Sequence, residues 1–219
     1  MNLSKMIAAA SLALPLFAHA GVVPVGVQAN ISTATTTGWG WTECHRSGAN
    51  TGVAINTILN ACKGDYLMMG FARDATTYAI LGAGAYEVVT RITQQGSGYA
   101  TLNNWSNGLN FYRTNGGGSW GFTTNSNVYL NSADVFLGNG LQNYSVGREA
   151  TAARGLSFHS NGSSLTNGWG YNPTGAAFAL MSGGQRVFLT YTETQVPEPG
   201  VLLLLALGAA GFAAARRRT

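Results

Sequence analysis

The chain has 219 residues, of which 46% are hydrophobic and only 9% are charged, and its formal net charge is +4. The excess positive charge comes from the two ends, because residues 21–195 carry eight basic and seven acidic side chains. A nearly neutral body argues against nucleic-acid binding. The length of this body fits one domain with a sizeable core.

The first twenty residues have the pattern of a secretory signal peptide. Lys5 supplies a positive charge, residues 6–17 form an apolar run, and Ala18-His19-Ala20 is a small-x-small cleavage site. The run is too short for a stable membrane anchor. We therefore predict that residues 1–20 are removed and that the exported chain begins at Gly21.

The chain has two cysteines, Cys44 and Cys62. In the oxidising compartment that an exported chain reaches, a disulfide between them is the expected state. Closing this loop stabilises a fold by roughly 3 kcal/mol on the chain-entropy argument. The alternative is a metal site made by these cysteines with Glu43 and His45, but adjacent ligands suit a tetrahedral site poorly. We predict neither a metal site nor a cofactor.

Residues 21–195 are rich in short strand-like runs separated by glycine and asparagine turns. The predicted strands are 66–71, 77–81, 86–92, 109–113, 128–130, 133–137, 176–180 and 186–192. The only helical candidate is 49–59, which Gly52 weakens. This pattern predicts an all-β ectodomain, an antiparallel β-sandwich of jelly-roll-like form.

Catalytic constellations have little support in the body. A glycosidase needs two carboxylates that flank a bond, and a triad needs a serine, a histidine and an acid. Asp74 follows Arg73, which suits a surface ion pair, and His159 has no Gly-x-Ser-x-Gly elbow beside it. We predict that the protein is not an enzyme. A secreted hydrolase that uses His159 as its base is the alternative.

Tryptophans in polar, glycine-rich surroundings raise the possibility of carbohydrate binding. Exposed indole faces can stack on sugar rings, and Trp105 and Trp169 are the candidates. The amides near Trp105 could bind hydroxyl groups; they are Asn103, Asn104, Asn107 and Asn110. The competing interpretation is that the tryptophans fill a sandwich core, which we favour for Trp120. A polysaccharide-binding module is therefore an alternative function.

The C-terminal end has three parts in a fixed order. Val196-Pro197-Glu198-Pro199 is predicted to be extended, because proline fixes φ and restricts the residue before it. Residues 200–215 carry no charge and predict a transmembrane helix about 24 Å long. Arg216-Arg217-Arg218 can extend the span by snorkelling and keep this end on the cytoplasmic side. A buried helix of a soluble domain is the competing interpretation, but this segment lacks a polar face.

Residues 196–219 resemble the PEP-CTERM sorting signal of bacterial exported proteins, in which a Pro-Glu-Pro strip, an apolar helix and an arginine cluster follow one another. The resemblance implies that the partner is an exosortase, a membrane-embedded cysteine protease that cuts near the strip. It also implies a precursor held transiently in the cytoplasmic membrane, with the body outside, and later delivery to the cell envelope or extracellular matrix. Such systems are associated with exopolysaccharide, which is a possible partner. The resemblance implies no activity for the body.

Overall fold

Strands dominate the computed structural model, which describes residues 21–49, 51–95, 98–130, 135–137, 155–166, 170–171, 177–178 and 184–193. These residues belong to one unit, Gly21–Glu193. The strands are β1 Val27–Ser32, β2 Thr42–Gly48, β3 Val53–Ala54, β4 Tyr66–Ala72, β5 Thr77–Ala85, β6 Gln94–Gln95, β7 Gly98–Thr101, β8 Trp105–Ser106, β9 Leu109–Asn115, β10 Gly118–Thr123, β11 Asn127–Leu130, β12 Val135–Leu137, β13 Gly155–Asn161, β14 Ser164–Leu165, β15 Gly170–Tyr171, β16 Ala177–Phe178 and β17 Gln185–Tyr191. The helices are α1 Thr33–Gly38, α2 Ile55–Ala61 and α3 Tyr86–Thr90.

Five strands form sheet A in the order β1-β5-β4-β17-β2, and all its neighbours are antiparallel. β4 and β5 are a hairpin, whereas β17, at the far end of the described body, lies between β4 and β2. Side chains of a strand alternate between its two faces. Phe188 of β17 is therefore buried on one face of sheet A, and Val187 and Leu189 are buried on the other.

Sheet B has the order β3-β14-β13-β10-β9-β6, with β12 beside β13 and β8 beside β9. Its pairs are antiparallel except for the short parallel contact between β6 and β9. β7 with β11 and β15 with β16 form two further antiparallel ladders. The prediction of a mostly β, antiparallel body is confirmed. Its jelly-roll connectivity stays a prediction, because several connections run outside the described residues.

The facing sides of sheets A and B enclose the inter-sheet core. Trp120 of β10 and Phe188 of β17 meet there with ring centroids 5.1 Å apart. The buried aromatic and aliphatic members from the two sheets include Leu67, Met69, Phe71, Ile80, Leu109, Phe111, Phe122, Leu156 and Phe158. Burial of this apolar surface is the main favourable term for the fold.

The other face of sheet A carries a second cluster, which we call the outer cluster. Its buried members are Trp41, Met68, Ala72, Tyr78, Leu81, Ala83, Val187 and Leu189. The chain around Val23 and Trp39 packs against it, together with Tyr66 and Tyr191. Sheet A is therefore covered on both faces, which explains why β4 is apolar at nearly every position instead of alternating.

The predicted strand 86–92 is wrong, because α3 occupies Tyr86–Thr90. A helix this short leaves its last carbonyl groups without helical partners. Side chains of sheet B and of the residue before β8 supply the donors: Asn104 Nδ2 bonds Val88 O, Trp120 Nε1 bonds Val89 O, and Arg113 bonds Thr90 O at 2.9 Å. These long-range bonds stabilise a helix in a β-branched sequence that by itself favours a strand.

The predicted helix at 49–59 is displaced along the chain. α2 begins at Ile55 and ends at Ala61, and it buries Ile55 and Ile58 in the inter-sheet core. Within the described ranges, no helix is both long enough and apolar enough to cross a membrane. The predicted transmembrane helix 200–215 and the predicted signal peptide 1–20 lie outside those ranges.

Candidate functional site

Trp105 is a tryptophan on the surface of the described body. It opens β8, opposite Asn110 of β9, and 44% of its surface is exposed. Asn103, two residues earlier, is also exposed. An indole at such a position has a polar tip and a broad apolar face, which can stack on the apolar face of a sugar ring.

The neighbouring asparagines have structural roles that their sequence did not reveal. Asn104 is buried, and its Nδ2 donates to Val88 O at 2.9 Å and to Phe111 O at 3.1 Å. Asn110 is buried too, and its Oδ1 accepts the Asn104 N–H at 3.0 Å. The hypothesis that these two amides bind sugar hydroxyls is therefore wrong. Their bonds instead fix the backbone on both sides of Trp105.

Asn107 also supports the turn after Trp105. It adopts a positive φ of 52°, and its amide donates to Pro24 O and Ala83 O. In return, the Asn107 carbonyl accepts the Gly26 N–H at 2.9 Å. The indole of Trp105 thus stands on a turn that is anchored to sheet A and to the N-terminal segment, so its position is set before any ligand arrives.

Trp120 and Trp41 are core residues, as predicted for the first of them. Trp120 is fully buried, and the Arg113 guanidinium lies 5.5 Å from its ring centroid. A Cβ at the adjacent Gly121 would lie 2.0 Å from Leu156 O, so only glycine allows β13 to approach this closely. Trp41 donates its Nε1–H to Val22 O at 2.8 Å. Trp169, the second predicted sugar-stacking residue, lies outside the described residues.

The predicted disulfide is confirmed: Cys44 of β2 is bonded to Cys62, the residue that follows α2, and their Cα atoms are 5.1 Å apart. Cys62 is fully buried in the inter-sheet core. Because both thiols are used in the bond, neither is available as a metal ligand. Within the part of the chain that the structure describes, no group of histidine, cysteine and acidic side chains could hold a metal ion.

A polar cluster surrounds Glu43 on β2. Arg46 makes a bidentate contact with its carboxylate at 2.6 and 2.7 Å, and the Tyr78 hydroxyl donates to it at 2.8 Å. Burial opposes ionisation of Glu43, but these hydrogen bonds outweigh it and lower its pKa. Burial, the hydrogen bond to Glu43 and its charge raise the pKa of Tyr78 to about 12. This carboxylate is therefore an ionised structural partner and not a proton donor.

His45 and His159 have different surroundings. Burial lowers the pKa of His45, against the opposing charge of Glu43, and its Nε2 has no hydrogen-bond partner. His159, the candidate base of the hydrolase alternative, lies on β13 with Nδ1 3.0 Å from the Thr166 hydroxyl. Sequence reasoning gave no signal for the His159 contact, because Thr166 reaches it across the turn between β13 and β14.

The predicted sorting residues Val196, Pro197, Glu198 and Pro199 and the arginines Arg216, Arg217 and Arg218 lie outside the described residues. Comparison with known families bears on them directly. Residues 195–218 match the family model of the PEP-CTERM protein-sorting motif. The chain therefore carries a PEP-CTERM sorting motif at its C-terminal end, as its sequence indicated. No curated protein sequence and no solved structure matches the chain.

Proposed function

We propose that this chain is an exported cell-surface or extracellular-matrix protein that an exosortase sorts and cuts at its C-terminal motif. The observation that carries the proposal is the match of residues 195–218 to the PEP-CTERM sorting motif. In this proposal residues 1–20 are the signal peptide, residues 21–195 are the exported domain, and the helix 200–215 holds the precursor in the cytoplasmic membrane until it is cut.

The body supports export through its disulfide. Cys44 and Cys62 form a bond between β2 and the end of α2, and such bonds persist in oxidising compartments outside the cytoplasm. The low charge of the body, eight basic against seven acidic residues over 21–195, gives it no electrostatic reason to bind nucleic acid. Both features agree with a protein that works outside the cell membrane.

The intact mass of the protein recovered from the cell surface tests the proposal. We expect a wild-type chain that begins at Gly21 and ends between Pro197 and Gly200. The Glu198→Ala variant should stay uncut in the membrane fraction, while Glu193→Ala, the same change two residues before the matched segment, should be cut normally. An uncut C-terminus in the wild type would contradict sorting by an exosortase.

We further propose that the body has a binding or structural role and no catalytic one. The exposed Trp105 favours a polysaccharide of the extracellular matrix as its ligand, since the indole is held on a fixed turn. Retention on the producer's own exopolysaccharide should be saturable and insensitive to salt, and it should be lost in Trp105→Ala. Ile92→Ala is the matched control, because Ile92 is an apolar side chain of similar exposure, 46%.

If Trp105→Ala and Ile92→Ala are retained equally on the exopolysaccharide, Trp105 does not contact the ligand, and a structural role for the body is left. Turnover of a polysaccharide by the wild-type protein that disappears in His159→Ala would contradict the absence of catalysis. These two results are independent, because His159 and Trp105 lie on different strands, β13 and β8.

A further inference from the structure

The two ends of the described body meet at one point, which sequence reasoning missed. The backbone nitrogen of Gly21 donates a hydrogen bond of 3.0 Å to the hydroxyl oxygen of Tyr191, a residue 170 positions later. Tyr191 is the last residue of β17. Gly21 is also the predicted first residue of the chain after signal-peptide removal.

Only a residue without a side chain fits at this position. A Cβ at Gly21 would lie 2.2 Å from Cε2 of Tyr191 and 2.3 Å from its Cζ. The phenol ring cannot easily move away, because Trp41 and Tyr66 flank it with ring centroids at 5.6 and 6.0 Å. We call Trp41, Tyr66 and Tyr191 the Tyr191 cluster.

The residues after Gly21 are held so that its nitrogen points at the cluster. Val22 donates its N–H to Trp39 O at 2.9 Å, and its carbonyl accepts the indole N–H of Trp41 at 2.8 Å. The backbone of Gly40, with a positive φ of 87°, lies beside both Gly21 and the Tyr191 ring. The N-terminal segment is therefore fixed by bonds on both sides of Val22.

Acidic residues contact two members of the same cluster. The Tyr66 hydroxyl bonds Glu193, which raises the pKa of Tyr66, and the Glu193 N–H donates to Asp65 Oδ2 at 2.7 Å. The end of β17 is also held by Asp65, whose N–H donates to Tyr191 O at 3.0 Å. A carboxylate bonded to the same cluster attracts a cation.

We propose that the Tyr191 cluster is a binding site for the free amino terminus that signal-peptide removal creates at Gly21. Hydrolysis of the Ala20–Gly21 bond adds water across it and leaves a carboxylate on Ala20 and an amine on Gly21. The amine is protonated below a pKa of about 8. An ammonium donates stronger, charge-assisted hydrogen bonds than a backbone amide, so cutting strengthens the contact with Tyr191. This inference rests on the proposed export and cleavage before Gly21.

The composition of the chain offers a direct test by amine acylation. Lys5 and Lys63 are its two lysines, so the processed chain has two amines, the α-amine of Gly21 and the exposed ε-amine of Lys63. Full-length protein purified after export is treated with an acetylating N-hydroxysuccinimide ester, and both sites are followed by mass spectrometry. We expect acylation of Gly21 to be slowed about tenfold in the native chain relative to the denatured chain, normalised to Lys63.

Tyr191→Phe keeps the ring and removes the hydroxyl, so it should abolish this protection. Tyr86→Phe is the control, since it removes a hydroxyl that bonds Leu59 O elsewhere. Gly21→Ala provides an independent variant in case Tyr191→Phe does not fold, because the added Cβ should displace the amino terminus. Gly38→Ala is its control, as no atom lies within 4 Å of a Cβ there.

Two failures are distinguishable. A mass that shows a first residue other than Gly21 would contradict the proposed cleavage and this inference together. A chain that begins at Gly21, but whose α-amine reacts equally fast in wild type, Tyr191→Phe and denaturant, would overturn the binding site and leave the proposed export intact.

Discussion

The indole nitrogen of Trp120 donates a hydrogen bond of 2.9 Å to the carbonyl oxygen of Val89. Both residues are fully buried. The bond joins the centre of sheet B to the last turn of α3, where a helical carbonyl has no partner within its own helix. Trp120 therefore acts on the fold both as an apolar side chain and as a hydrogen-bond donor.

Trp120→Phe should destabilise the body by about 2 kcal/mol, because it keeps an aromatic ring near Phe188 but leaves Val89 O buried without a donor. Urea denaturation should show the lower free energy of unfolding, and hydrogen exchange should show faster exchange of the amides in residues 86–90. Trp105→Phe, at an exposed position, should change stability by no more than about 0.5 kcal/mol. Equal effects of the two substitutions would contradict this role for the indole nitrogen.

The disulfide should contribute about 3 kcal/mol, since it closes a loop with a sequence separation of 18. We expect the double variant Cys44→Ala/Cys62→Ala to unfold at lower urea concentration than the wild type. A reductant should lower the stability of the wild type and leave the double variant unchanged. Wild-type stability that is unaffected by full reduction would count against the loop-closure argument.

Arg186 should be intolerant even of lysine. Its guanidinium is fully buried at the start of β17 and donates to the backbone carbonyls of residues 48, 49, 51 and 166. A lysine ammonium cannot match the geometry of a planar fork, so Arg186→Lys should cost roughly 3 kcal/mol by leaving buried acceptors unpaired. Arg91→Lys, at an exposed position, is the control. If Arg186→Lys is as stable as the wild type, then a positive charge of any shape satisfies these buried carbonyl acceptors.

His45 should make stability depend on pH just below neutrality. Burial lowers its pKa from 6.5 in the folded state, with Glu43 opposing. The unfolded chain therefore takes up the proton first, so the stability that the neutral ring contributes is complete above pH 6.5 and falls as pH decreases towards the folded pKa. His45→Gln should flatten the decrease in unfolding free energy between about pH 7 and pH 5. An unchanged slope would exclude His45 as its source.

Glu43 should act at lower pH. Burial opposes its ionisation, but its bonds with Arg46 and Tyr78 lower its pKa below 4.5. Its contribution is present above pH 4.5 and is lost as pH falls through the folded pKa. Glu43→Gln should therefore reduce the loss of unfolding free energy as pH falls below 4.5. It should also lower the His45 pKa further, because the Glu43 charge that raises it is gone. If the variant loses as much unfolding free energy below pH 4.5 as the wild type, other carboxylates are responsible for that loss.

Apolar runs were enough to predict β4, β5, β9 and β17. The sequence did not reveal β2, whose residues Thr42–Gly48 are mostly polar, because it gains strand structure from pairing with β17 and not from its own burial pattern. The central place of β17 in sheet A buries both of its faces, which the predicted strand at 186–192 did not indicate. Strand order is a long-range property, so local periodicity could not give it.

The candidate sites also fall into two groups: those that the local sequence predicts and those that depend on long-range contacts. The sorting motif was predictable because its parts follow one another in the chain, and the exposure of Trp105 agrees with its polar neighbours. The roles of Asn104 and Asn110 were not predictable, since their partners belong to α3 and to neighbouring loops. The contact between Gly21 and Tyr191 spans nearly the whole body, and no pattern of spacing indicates such a pair.

The place of β17 between β4 and β2 sets an order of events during synthesis. β2 is made early, yet its pairing strand is β17, so it waits for residues 185–191. Hairpin β4–β5 can form sooner, because its strands are adjacent in sequence. The body therefore completes sheet A only when synthesis has almost reached the sorting motif at residue 195. A chain that ends before β17 would leave β2 without the strand it pairs with and the outer cluster without Val187 and Leu189.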